Sequence, residues 1–238
     1  MAILAFDAST EWLSAGLGDA SSWIEENRRV VHAHSEHLLP IVERLLADAG
    51  ISLRDLDGIA FGAGPGSFTG LRIACGVAQG LAFGANLKVV PVPSLAAIAQ
   101  AQGSERVVAC LDARMREVYV AAYARRDAST TTASVPGAAP PWDVVIEPAV
   151  LSPHDVPIPE GEGWVGAGNG FAAYPELGLR LGLAQVEPHV RPSSRAIGAL
   201  ALADFAAGRA RPPEEALPLY VRHRVALTTA EREAGLKL

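Results

Sequence analysis

Apolar residues come in short runs at the start of the chain and at helical spacing further on. Ile3 to Phe6 and Leu13 to Leu17 read as two short strands, with Asp7-Ala8-Ser9-Thr10 as the polar turn between them. The pattern predicts a hairpin with an acid at its bend. Trp23 to Val31 reads as a third strand. Leu38, Ile41, Val42, Leu45, Leu46 and Ala49 then recur at the spacing of a helix that ends near Gly50. Proline lacks the amide proton that a helix interior needs, so Pro40 predicts either a start near Leu39 or a distortion in the early turns. The strand Gly58 to Phe61 runs into Gly62-Ala63-Gly64-Pro65-Gly66-Ser67-Phe68-Thr69-Gly70, which opens a helix reaching about Gly84. A strand from Lys88 to Val92 and a helix from Ser94 to about Gln102 complete the first half.

The second half repeats this order. Arg106 to Leu111, the acidic bend Asp112-Ala113-Arg114-Met115 and Val118 to Tyr123 are again strand, turn and strand, and Asp112 lies 105 positions after Asp7. Trp164-Val165-Gly166-Ala167-Gly168-Asn169-Gly170 echoes Ala60-Phe61-Gly62-Ala63-Gly64-Pro65-Gly66 at an offset of 104. So short a match also arises by chance, but two features at nearly one offset point to an internal duplication of an α/β unit. Asp127 to Pro141, rich in Ala, Ser, Thr and Pro, reads as a long surface loop, and so does the proline-rich stretch Pro148 to Gly163. A helix from Ser193 to about Gly208 follows, and Pro212, Pro213 and Pro218 hold the tail extended up to Tyr220-Val221-Arg222. The charges of Arg222-His223-Arg224 read as a solvated tail.

The run from Gly62 to Gly70 sits where the free amides of a helix start, and the helix dipole, receive an anion. Asp7, Ser9, Thr10, Gly64, Gly66 and Ser67 are the candidates for holding a nucleotide or phosphate there. The run lacks the Gly-Lys-Ser/Thr ending of a P-loop, and neither Gly62-x-Gly64 nor Gly64-x-Gly66 continues to a third glycine at the dinucleotide spacing. A tight turn that serves only the fold accounts for it as well. Inside the following helix Gly76, Gly80 and Gly84 repeat every four residues, leaving a groove without side chains along one face. Each interior glycine costs about 1 kcal/mol against alanine. The sequence therefore needs a close backbone approach there, either to its own sheet or to a helix of another chain. The broad apolar stripe of the preceding helix, with Leu45 and Leu46, makes the interface the sharper of the two.

His32, His34 and His37 cluster, but metal-binding helices present two His four residues apart, and the six His of the chain contain no such pair. They read as solvent-exposed residues at a helix start, and no metal is expected. There is no Gly-x-Ser-x-Gly nucleophile elbow. Asp7 and Asp112 are candidates for the facing acids of a cleft. Twenty Lys and Arg against 26 Asp and Glu give a net charge of −6, which argues against a chain that grips nucleic acid by itself. Cys75 and Cys110 are the only cysteines, which leaves no disulfide framework or CxxC motif and suits a reducing, cytoplasmic compartment. The start of the chain has no basic region before its apolar run, and the window Leu71 to Val90 is interrupted by Arg72, Gln79, Asn86 and Lys88. Neither export nor a membrane span is expected.

Four stretches together carry a resemblance. Phe6-Asp7-Ala8-Ser9-Thr10, the run from Gly62 to Arg72, His34-Ser35-Glu36-His37-Leu38-Leu39-Pro40 and Pro218-Leu219-Tyr220-Val221-Arg222 are similar to the bacterial TsaB family, formerly YeaZ. The resemblance implies an α/β fold of actin-like (ASKHA, ribonuclease H-like) build with two duplicated lobes. These would be residues 1–103 and 104–205, with a tail, 206–238, packing back on the first lobe. It implies a non-catalytic subunit in the synthesis of threonylcarbamoyladenosine on tRNA, partnered by a TsaD-like transferase and a TsaE-like ATPase, homodimeric when alone, and reaching tRNA through the complex. The transferase paralogue holds a metal through a His-x-x-x-His pair that this chain lacks. No catalytic residue and no cofactor of its own are implied. Whether a nucleotide sits near Asp7, or ATP or ADP only at the composite interface, stays open. The family's dimer surface, carried over residue by residue, falls on Leu38, Ile41, Leu45, Arg72, Cys75, Gly76, Gln79, Gly80 and Phe83. A glycoprotease-like or nucleotide-hydrolysing enzyme of the same fold is the alternative, and the missing metal pair and nucleophile motif count against it.

Overall fold

The computed structural model describes residues 1–31, 33–126 and 142–222. The loop expected over Asp127 to Pro141, His32, and the part of the basic cluster after Arg222 lie outside the described residues.

Strands β1 (Ile3–Asp7), β2 (Trp12–Gly18) and β3 (Trp23–Arg29) lead into helix α1 (His34–Ala49). They are followed by β4 (Gly58–Gly64), α2 (Phe68–Ala85), β5 (Lys88–Pro93) and α3 (Ser94–Gln102). The second series is β6 (Arg106–Arg114), β7 (Glu117–Arg125), β8 (Trp142–Leu151), β9 (Val165–Ala167), the short helices α4 (Gly170–Ala173) and α5 (Glu176–Arg180), β10 (Gln185–Glu187) and α6 (Ser194–Ala206). The strands form two five-stranded sheets, in the orders β3-β2-β1-β4-β5 and β8-β7-β6-β9-β10. Within each, the first three strands of the series form an antiparallel meander, and the fourth pairs parallel with the first. The two halves thus repeat one strand topology, as the offsets of 105 and 104 implied.

Alternation along β1 distributes the core. Leu4 and Phe6 pack with α1 and α2, whereas Ile3 and Ala5 pack with α6. In the second sheet Val108 and Cys110 meet α4 and α5, and Val107, Ala109 and Leu111 meet α3. Each half's last helix therefore crosses over, α3 to the second sheet and α6 to the first, and the two helices pack against each other in the middle layer. Three expectations change. Helix α1 begins at His34, with Pro40 inside it, so the start near Leu39 is overturned; Pro40 is exposed, and buried Leu38 and Ile41 on either side hold the turn onto the sheet. The bend expected at Asp112 is still strand, and the turn is Met115 and Arg116. The loop expected from Pro148 begins later, because β8 continues through Pro148 to Leu151; β8 is an edge strand with irregular register, where proline's missing donor is tolerated. No helix among the described residues is long and apolar enough to cross a membrane.

Candidate functional site

At the carboxyl end of β1 the sequence closes on itself. Asp7 is fully buried; its Oδ1 accepts from the Ser9 amide at 2.9 Å and the Ser9 hydroxyl at 2.7 Å, and its Oδ2 from the Ser94 hydroxyl at 3.1 Å. Burial pushes the Asp7 carboxyl above its ordinary range, and the Ser9 and Ser94 hydrogen bonds and the nearby His34 pull the other way. Glycine is required opposite, since a Cβ on Gly62 would lie 1.8 Å from Asp7 Oδ2. Gly66 is similarly confined, with Ser9 O 2.4 Å from where its Cβ would be, and the Ser67 amide donates to that same carbonyl at 2.7 Å. The glycine run is thus packed onto the β1–β2 turn by its own backbone. Ser67 caps α2 by accepting from the Gly70 amide at 3.3 Å. Of the six nucleotide candidates, Asp7, Ser9 and Gly64 are buried, Thr10 and Gly66 half-buried, and Ser67 exposed. Thr10 Oγ1 accepts from the Trp12 amide at 3.1 Å.

The facing acids do not form as expected. Asp7 is sealed, and Asp112 turns to its own hairpin, accepting from the Arg114 amide at 2.8 Å and pairing with the Arg114 guanidinium at 3.0 Å. Of the described histidines at the start of α1, His34 differs from expectation. His34 is buried, and its Nε2 donates to Thr10 O at 2.9 Å, tying α1 to the β1–β2 turn; His37 accepts from Arg28 at 3.3 Å. No group of His, Cys, Asp and Glu among the described residues could hold a metal ion.

The expected partner face divides in two. Leu38, Ile41 and Leu45 point into the core and offer no surface, because the apolar stripe of α1 is spent on β1, β2 and α2. Cys75 is also covered. Its thiol donates to Ala216 O at 3.0 Å, Gln79 Nε2 donates to the same carbonyl at 3.0 Å, and burial pushes the Cys75 thiol up. Arg72, Gly76, Gly80 and Phe83, by contrast, are exposed. Among the described residues nothing lies within 4 Å of a Cβ built on Gly76, Gly80 or Gly84, so the glycine stripe does not serve packing on the sheet. Ile73, Val77 and Leu81, only partly buried, flank it.

The tail completes this face through contacts that no local sequence pattern marks. Arg211 bridges to Val89 of β5, the 3-10 turn Pro213–Glu215 lies on α2, and the Leu219 amide donates to Ala63 O at 2.7 Å. Tyr220 then stacks at 5.7 Å from Phe68 and receives a hydrogen bond from Arg72 Nε at 3.2 Å, while the Arg72 guanidinium lies 3.8 Å over the Phe68 ring. Arg222 ends the strap on the second sheet, donating to Ala113 O at 3.0 Å and pairing with Glu117. Leu219, Tyr220 and Val221 form, with residues 147–150 of β8, an open groove of about 560 Å³.

Residues 28–198 match the family described as TsaD, tRNA N6-adenosine threonylcarbamoyltransferase. The tRNA threonylcarbamoyladenosine biosynthesis protein TsaB of Escherichia coli (strain K12) is 36% identical over 95% of this chain and 96% of its own. The protein of the same name from Haemophilus influenzae is 38% identical over 74% of this chain and 75% of its own. The structure of YeaZ from Pseudomonas aeruginosa superposes with a TM-score of 0.80 at 37% identity, covering 92% of this chain and 99% of that one. With sequence and fold matched over nearly the full length of both chains, this chain belongs to the TsaB (YeaZ) family.

Proposed function

We propose that this chain is a non-catalytic partner subunit in the synthesis of threonylcarbamoyladenosine on tRNA, the process for which its TsaB relatives are named. On this reading it docks a TsaD-like transferase through the exposed face of α2 and pairs with a second copy of itself there when alone. The resulting pair takes up a TsaE-like ATPase, with ATP or ADP at the composite interface, and tRNA is reached through the complex. One observation supports the reading above the others. Gly76, Gly80 and Gly84 have open space where their side chains would be, and Phe83 beside them is 63% exposed. Gly76 and Gly80, which cost about 1 kcal/mol each inside the helix, and Gly84 in its last turn serve no contact among the described residues, and a stripe of this kind lets a second helix approach closely.

Gly80→Leu tests the reading. A Cβ at position 80 meets none of the described residues and leucine favours the helix, so folding is expected to be retained. Sedimentation equilibrium is expected to show self-association, and affinity for the transferase, weakened about 100-fold or more, as for loss of a central interface contact. A variant that associates as the parent does removes the α2 face from the account.

A further inference from the structure

The β6–β7 hairpin turns through residues that no turn requirement selects. Met115 and Arg116 form its two-residue loop, with φ of 54° and 61°, and Arg114 before them has φ of 61°. Positive φ at both loop positions marks the turn type for which Asn-Gly is the favoured pair. Here three consecutive left-handed residues are an arginine, a methionine and an arginine. The corresponding β1–β2 turn contains no residue with positive φ. A sequence that needed only to reverse direction has cheaper choices, so the side chains themselves are what the strained turn retains.

Those side chains stand in solvent. The Arg114 side chain is 86% exposed and Met115 57% exposed, and Arg116 is exposed as well. The tip is braced from behind. Arg222 contacts Met115 Sδ at 3.4 Å, donates to Ala113 O and pairs with Glu117, with its own side chain only 14% exposed. Arg114 pairs with Asp112, a surface pairing that is weak and readily exchanged; Arg116 makes no ion pair among the described residues. The strap that braces the tip is itself held to the start of α2, since Tyr220, two residues before Arg222, accepts from Arg72.

From this juxtaposition we infer that Arg114 and Arg116 form a phosphate-contacting finger for an RNA held by the assembled complex. The inference rests on the proposed role in tRNA modification. An RNA backbone is favoured over an acidic protein surface because the tip is small. A two-residue protrusion with one exposed methionine cannot supply the area of a stable protein interface, whereas a positioning contact to phosphate needs only a guanidinium fork. The finger also suits a chain of net charge −6, which places two arginines at one point and leaves the remaining affinity to its partners.

The test uses the full complex and an unmodified tRNA transcript, with affinity measured by fluorescence anisotropy over a series of salt concentrations. Arg114→Glu with Arg116→Glu is expected to weaken binding about tenfold or more near 0.1 M salt and to flatten the log–log salt dependence by about 1 to 2 units. Complex assembly, followed by light scattering, stays unchanged. Met115→Asn with Arg116→Gly supplies the residues the turn prefers; it is expected to raise Tm and yet weaken tRNA binding about threefold, which loss of folding cannot imitate. Parental affinity and salt slope in both variants overturn the finger while leaving the proposed function standing. Loss of assembly with tRNA affinity intact makes the tip a protein contact and overturns the RNA assignment. A parental complex that neither binds nor modifies tRNA overturns both.

Discussion

At the scale of single residues, Asp7 is the site's most constrained group. It is wholly buried, accepts three hydrogen bonds from Ser9 and Ser94, and sits so close to β4 that Gly62 has no room for a methyl group. Gly62→Ala is expected to cost more than about 3 kcal/mol in urea unfolding, since neither the buried carboxylate nor the central strand can move aside. The raised carboxyl also has a pH signature. A folded-state pKa above the ordinary 3.8 means that the native state holds its proton longer than the unfolded chain. Its contribution is therefore full below pH 3.8 and is lost as pH rises through the folded value. Asp7→Asn keeps an acceptor for Ser9 and removes the titration. Tm of the parent minus that of the variant should fall as pH is raised from 4 to 8; a flat difference removes the account of Asp7. The sequence showed the acid at the hairpin bend but not its burial. Burial depends on Gly62, Ser9 and Ser94 converging from three separate segments, and no local pattern encodes that.

At the scale of elements, most helices and strands of the first half were legible because their apolar periods are clean. What periodicity cannot tell is which neighbour an apolar stripe faces. Leu38, Ile41 and Leu45 suit a partner interface or the chain's own core equally well in sequence, and the structure assigns them to the core. The glycine stripe of α2 had the same ambiguity and resolved the other way, toward open space. The bend expected over Asp112 to Met115 lies instead at Met115 and Arg116, for a physical reason. Its residues carry no turn preference, and left-handed conformations at non-glycine positions cost about 1–2 kcal/mol each. Because Gly80 sits in a helix with free space around it, Gly80→Leu should stabilise the isolated chain by about 0.5–1 kcal/mol even as it blocks association. A loss of stability in denaturant would show that the stripe packs within the chain after all.

At the scale of the whole molecule, two sheets of one topology share the middle layer of α3 and α6, and a strap runs from β5 across α2 to the hairpin of the second sheet. The offsets in sequence revealed the repeat, because duplicated glycines and acids survive as short strings. The prolines showed an extended tail and the resemblance implied its return to the first lobe, but its anchors were not legible, since they are backbone carbonyls such as Ala63 and Ala216, which any sequence possesses. Arg222→Ala is expected to cost about 1–3 kcal/mol and to speed amide hydrogen exchange over Ala113–Glu117, as the largely buried guanidinium is the strap's hold on that hairpin. Unchanged exchange there would detach the strap from the second sheet.

On the proposed function this chain acts by being bound, through α2, and performs no chemistry of its own. The most direct test of this is the rate of threonylcarbamoyl transfer to tRNA in a reconstituted mixture of a TsaD-like transferase, a TsaE-like ATPase and threonylcarbamoyl-AMP, with this chain present, omitted, or replaced by Gly80→Leu. The account predicts sustained modification only with the parental chain, and no activity from the chain by itself. Equal rates without it, or with the folded variant in its place, would contradict the account.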